Sequence, residues 1–198
     1  MTGRLLAVDA AEHTILWSQQ CPKPVFASPL LTPTGIVCAC VDGWVYCFDF
    51  QGPLLWQFQT RASVFSSPTY FGAECDSTSS DCIGHIVFGT HDKCVYCLSL
   101  NGELQWSFPA DGQVYSSPFV AELNANNGSF CDKRDACVAV FVWSTLGTLY
   151  VLDLHSGVRL ASYSLPGEVF SSPVVVDNKL FIGCRNDYLY SLEISYRK

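Results

Sequence analysis

Along most of the chain, apolar and polar positions alternate in short runs that are closed by turn residues. Trp44-Val45-Tyr46-Cys47-Phe48-Asp49 shows the pattern, and β-branched and aromatic residues dominate such runs, as strands favour. Gln51-Gly52-Pro53, Asn101-Gly102, Ser156-Gly157 and Asp177-Asn178 separate the runs, supplying positive φ or preset turn geometry. No stretch carries the 3.6-residue periodicity of an amphipathic helix. The pattern predicts an all-β protein.

The runs also repeat. One phrase occurs four times, as Val25-Phe26-Ala27-Ser28-Pro29, Val64-Phe65-Ser66-Ser67-Pro68, Val114-Tyr115-Ser116-Ser117-Pro118 and Val169-Phe170-Ser171-Ser172-Pro173. A second follows each, as Val45-Tyr46-Cys47-Phe48-Asp49, Val95-Tyr96-Cys97-Leu98-Ser99, Leu149-Tyr150-Val151-Leu152-Asp153 and Leu189-Tyr190-Ser191-Leu192-Glu193. A degenerate copy of this second phrase, Leu5-Leu6-Ala7-Val8-Asp9, opens the chain. A third phrase ends in Trp17, Trp56 and Trp106, with Ala161 in the tryptophan place of the last copy. From each of these four positions to the proline of the next first phrase is 12 residues. From that proline to the tyrosine is 17 residues in the outer copies but 28 and 32 in the middle two. The extra residues, 72–82 and 124–136, are rich in Gly, Ser, Asn and Asp and read as surface loops.

Units of 39 to 55 residues with four strands each predict propeller blades, which stack radially and bury each other's faces. A sandwich has no reason to repeat one phrase at fixed spacing. The blades fall at 24–59, 63–109, 113–162 and 168–195, with a partial blade at 3–18, all within one domain of residues 1–198. The last blade lacks its fourth strand and the partial one starts at its third. The expectation is an incomplete ring of about four and a half blades, with open edges, cut from a longer chain. The rival is a small closed ring, in which residues 14–18 complete the C-terminal blade.

The succession Val-aromatic-Ser-Ser-Pro, Tyr-x-Leu-Asp and Gly-x-Leu-x-Trp closely resembles the pyrroloquinoline-quinone repeat of quinoprotein alcohol dehydrogenase-like propellers, over nearly the whole chain. It resembles this family more than WD40 repeats, since no Gly-His…Trp-Asp pairing is present. The wording, residues 169–194 included, is also similar to the C-terminal propeller of an amino-acid-activating enzyme of the acyl-CoA synthetase family. That resemblance implies a parent that adenylates an amino acid and loads it on a carrier-domain pantetheine, with those domains ahead of the propeller. This chain has neither a Gly/Ser/Thr-rich phosphate loop of the adenylation type nor a carrier-type serine motif. None of the parent's catalytic residues falls on it. The expected function is therefore a non-catalytic module that contacts a protein partner or the carrier domain, or positions the reaction domains. No catalytic residue and no cofactor is assigned.

Quinone-dependent oxidation is the enzyme alternative that the repeat name suggests. Such enzymes, as the resemblance has it, use a full ring, a calcium-type site and often a disulfide between adjacent cysteines. No two cysteines are adjacent here, and a repeat name describes a scaffold rather than an activity. A free-standing small propeller scaffold is the other alternative.

Composition narrows the partners. The 198 residues are 49% apolar and 15% charged, with a formal charge of −7, which opposes nucleic acid and anionic lipid surfaces. The N-terminal apolar stretch ends at Asp9, short of a signal peptide, and no run approaches the ~18 apolar residues of a membrane-spanning helix. A cytoplasmic location is expected. The eleven cysteines fit it, since several lie within apolar strand patterns, where the reduced thiol packs as a small hydrophobe.

Candidate chemistry is sparse. Cys75 and Cys82 flank one inserted loop and Cys131 and Cys137 the corresponding loop of the next blade, so four thiolates from adjacent loops form the candidate metal set. Unpaired loop thiols are the plainer reading. Cys94 and Cys97 have C-x-x-C spacing, but residues three apart on a strand point to opposite faces, which makes them core. The Ser-Ser-Pro hydroxyls lie nearest the axis, where they either line a polar site or satisfy crowded backbone. The tryptophans are expected between blades with their indole N–H bonded to a neighbour. Asp9, Asp49 and Asp153 are expected to cap turns. His13, His85, His91 and His155 form no ligand or catalytic motif.

Overall fold

The computed structural model describes residues 3–72, 84–123, 137–176 and 178–195. These form seventeen strands in five antiparallel sheets and no helix. An N-terminal hairpin pairs β1 (Arg4–Asp9) with β2 (Thr14–Gln20). Blade I holds β3 (Leu30–Thr32), β4 (Gly35–Ala39), β5 (Trp44–Phe48) and β6 (Leu54–Gln59). Blade II holds β7 (Thr69–Gly72), β8 (Gly84–Gly89), β9 (Cys94–Ser99) and β10 (Leu104–Pro109). Blade III holds β11 (Phe119–Leu123), β12 (Cys137–Trp143), β13 (Thr148–Asp153) and β14 (Arg159–Ser164). Blade IV holds β15 (Val174–Val176), β16 (Lys179–Cys184) and β17 (Tyr188–Glu193). Each blade is a meander in chain order, and β3, β7, β11 and β15 lie side by side as the innermost strands. This is the arrangement of a β-propeller.

The core lies between blades. In β8, Ile86 and Phe88 pack toward Val37, Val45 and Cys47 of blade I, while Val87 packs toward Val140 and Val142 of blade III. In β12, Val138, Val140 and Val142 face blade II, and Ala139, Phe141 and Trp143 join Leu180 and Ile182 of blade IV. A central strand covered on both faces favours apolar residues at successive positions, which is why Ile86–Phe88 of β8 and all of β12 read as unbroken hydrophobic runs. Each such aliphatic or aromatic side chain stabilises the stack by about 1.5–3 kcal/mol. The outer sheets lack one neighbour and keep the simple alternation: every second residue of β1 is half-buried, as are Tyr190 and Leu192 of β17.

Turns follow the residues that punctuate the pattern. Asp9 Oδ1 accepts the Ala11 and Glu12 amides at 2.8 and 2.9 Å, Asp49 Oδ1 the Gln51 amide at 2.7 Å, and Asp153 Oδ1 the Ser156 amide at 2.8 Å. Blade II has Ser99 at this place, whose Oγ accepts from Asn101 and Glu103.

The closed-ring alternative does not form. β2 is paired with β1 from Arg4↔Gln20 to Asp9↔Thr14, and Trp17 is bonded to blade I. Both interactions hold residues 14–18 at the front of the arc, and among the described residues β17 pairs only with β16.

Candidate functional site

The phrase that precedes each innermost strand forms a continuous rim across the blades. Its second serine links neighbours: the Ser28 amide donates to Ser67 Oγ at 2.9 Å, the Ser67 amide to Ser117 Oγ at 3.0 Å, and the Ser117 amide to Ser172 Oγ at 2.9 Å. In blade II the first serine ties blade to blade as well. Ser66, fully buried, donates to the Ser116 carbonyl at 3.0 Å and accepts the Gly89 amide at 3.1 Å. These hydroxyls satisfy backbone that the converging strands hide from water, the structural role expected where a blade tapers.

Beside the serines runs a row of rings. Phe26 stacks on Phe65 with centroids 5.5 Å apart, Phe65 lies 5.3 Å from Tyr115, and Tyr115 lies 5.1 Å from Phe170. His91 is held between Phe65 and Tyr115, at 4.5 and 4.2 Å. The Arg185 guanidinium stands 5.3 Å over Phe170, a cation–π contact. Phe26 and Phe170 remain 53% and 40% exposed. The row thus offers an aromatic strip with a cation at one end. Burial lowers the His91 pKa, which favours the neutral ring within the strip.

Two further devices hold the blades. Trp17, Trp56 and Trp106 donate from Nε1 to the carbonyls of Phe50, Leu100 and Leu154 of the following blade, at 2.8, 2.8 and 2.7 Å. The repeated tyrosine is anchored as well: Tyr46 donates to Asp42 and Tyr96 to Asp92, both at 2.8 Å, and Asn186 donates to the Tyr190 hydroxyl at 2.6 Å. Asp92 also accepts from Thr90 and from the Arg61 and Cys94 amides. Sequence reasoning overlooked this tyrosine anchor, although Asp42/Tyr46, Asp92/Tyr96 and Asn186/Tyr190 share one spacing.

The cysteines are packing residues where they are described. Seven are free thiols, and burial pushes Cys97 up to about 12, Cys38 up to about 12 and Cys47 up to about 11. Thiols held that high are protonated at neutral pH, and only the thiolate is a nucleophile or ligand. Cys94 packs against the core between blades I and II and Cys97 belongs to that between II and III. The C-x-x-C sulfurs therefore point apart. Of the loop set, Cys75, Cys82 and Cys131 lie outside the described residues, as does the side chain of Cys137, the first residue of β12. Among the described residues no cluster of three or more His, Cys, Asp or Glu is placed to hold a metal ion. His85 and His155 approach each other at 5.0 Å. Cys97 Sγ lies 3.6 Å from His85 Nδ1 and Asp153 acts on the same ring, but burial pushes the Cys97 thiol up to about 12, so no thiolate forms there at neutral pH.

A family model described as the beta-alanine-activating enzyme beta-propeller matches residues 1–194. The beta-alanine-activating enzyme of Danio rerio is 37% identical over 184 residues, which is 92% of this chain and 11% of that protein. The Homo sapiens enzyme is 41% identical over 159 residues, 80% of this chain and 13% of that protein. The chain thus spans roughly a tenth of the length of these relatives. Among solved structures, BamB from Moraxella catarrhalis superposes with a TM-score of 0.67 at 15% identity, over 91% of this chain and 50% of that one. The computationally designed Ika4 protein superposes with a TM-score of 0.65 at 18% identity, over 89% of this chain and 95% of that one. At such identities these two likenesses concern the fold alone.

Proposed function

The chain belongs to the beta-alanine-activating enzyme beta-propeller family, and on that premise we propose that it is a non-catalytic docking module of such an enzyme. Its role is to seat the carrier domain near the reaction domains, in the cytoplasm. The observation that carries this reading is the aromatic rim. Four rings from four blades form one strip whose ends, Phe26 and Phe170, stay open to solvent. Partly exposed aromatics on a rigid frame are what protein recognition uses, because they bury large area at little cost in side-chain entropy. The serines beside them are engaged with backbone, and the described thiols with high pKa are protonated, so the rim offers contact rather than acid–base or nucleophilic chemistry. The free thiols agree with a reducing compartment.

The test is a binding titration of this chain against the isolated carrier domain of a relative. Saturable binding that weakens at least tenfold in Phe26→Ala and Phe170→Ala is the expected result, as for truncated aromatic anchors. No binding, or binding indifferent to both substitutions, contradicts the reading.

A further inference from the structure

Three blade boundaries share one lock, and the fourth lacks its key. Trp17 pairs across its hairpin with Ala7, Trp56 with Cys47 and Trp106 with Cys97, and each indole crosses to the next blade. Ala161 occupies the same register in blade III, opposite Val151. Between blades III and IV this leaves a cavity of about 260 Å³, walled by Phe141, Val151, Ala161, Leu180, Leu192 and Ile194. Ile194 holds the position whose carbonyl receives the indole N–H at the other boundaries. Ile194 follows β17 as Leu154 follows β13, and its amide donates to the Asn178 carbonyl at 2.7 Å as Leu154 donates to Val138 at 2.9 Å. The end of the third strand is therefore hydrogen-bonded in the same way at both boundaries.

We propose that this cavity is a binding site for a small neutral aromatic molecule with one N–H donor, of the size and kind of indole. Apolar cavities of this scale take up aromatic ligands because water gains little by entering them. The walls are mainly aliphatic and aromatic, with Ser162, Glu193 and Ser195 also lining them and no cation among them, so an anionic ligand would lose its hydration without compensation. The other boundaries show what fits: a planar ring that lies between two sheets and donates to the carbonyl after the third strand. This inference stands apart from the docking role, since the cavity lies between sheets and not on the rim.

The experiment is thermal unfolding and calorimetric titration of the chain with indole and with 1-methylindole. Indole is expected to bind with one-to-one stoichiometry and to raise the melting temperature, as a ligand of the folded state must. The methylated ring, which has no N–H to donate, should bind about fivefold more weakly. Ala161→Trp should fill the cavity from within, abolish the indole response and melt higher than the parent chain. Should that variant not fold, Ala161→Leu fills part of the space and should weaken indole at least tenfold. Absence of an indole response in the parent chain would overturn the proposal, and so would an undiminished response in the folded filling variant.

Discussion

The Trp56 indole lies on Gly102 of the next blade: a β-carbon built on that glycine would stand 2.6 Å from the ring. Its Nε1 donates to the Leu100 carbonyl at 2.8 Å. Gly102 has a φ of +79°, so both its backbone conformation and the ring above it require glycine. The same pairing recurs as Trp17 on Gly52 and Trp106 on Gly157. Gly102→Ala is expected to cost about 2–4 kcal/mol, from the left-handed backbone and from overlap with the indole. Urea unfolding of the variant reads this as a lower midpoint at unchanged slope. An unchanged midpoint would show that the blades are not locked this way.

Ser66→Ala removes a fully buried hydroxyl and leaves the Ser116 carbonyl and the Gly89 amide without that partner. Leaving buried backbone groups unpaired costs about 1–3 kcal/mol. The loss should appear in the same unfolding assay. Hydrogen exchange at the Gly89 amide should speed up with it.

Stability should fall in acid in a defined direction. Burial lowers the pKa of His85, the nearby His155 charge adds to the effect and Asp153 opposes it; His91 is lowered by burial as well. The folded chain therefore binds protons less readily than the unfolded chain. Stability from these groups is complete above the ordinary value of about 6.5 and is lost as pH falls below it toward the lowered folded values. The melting temperature should be flat between about pH 8 and 7 and decline below about 6.5. His91→Phe, which keeps a ring between Phe65 and Tyr115, should flatten part of the decline. A melting temperature that rises on acidification would refute the assignment.

Much of the fold was legible in the sequence for a physical reason. A radial stack reuses one interface, so the residues that make it recur in register, and the 12-residue interval from Trp56 to Pro68 or Trp106 to Pro118 records that reuse. The aspartate caps were legible because they act within a few residues. The aromatic row was legible only in part. An aromatic recurs as Phe26, Phe65, Tyr115 and Phe170 at one place of each phrase, but that Phe65 and Tyr115 meet at 5.3 Å depends on how the segments before the innermost strands converge, which no local pattern reports. The Tyr150 anchor was hidden in the same way. Blade III has Leu146 where blades I and II have Asp42 and Asp92, and the Tyr150 hydroxyl instead accepts the Asp111 amide at 3.0 Å, from far along the chain.

The central claim is that the propeller docks and does not catalyse. It is tested most directly by deleting the propeller from a full-length relative and assaying the two half-reactions separately. β-Alanine-dependent ATP–pyrophosphate exchange should persist, while transfer of β-alanine onto the carrier domain should fall. Loss of pyrophosphate exchange in a truncated enzyme that still folds, or undiminished transfer, would contradict the account.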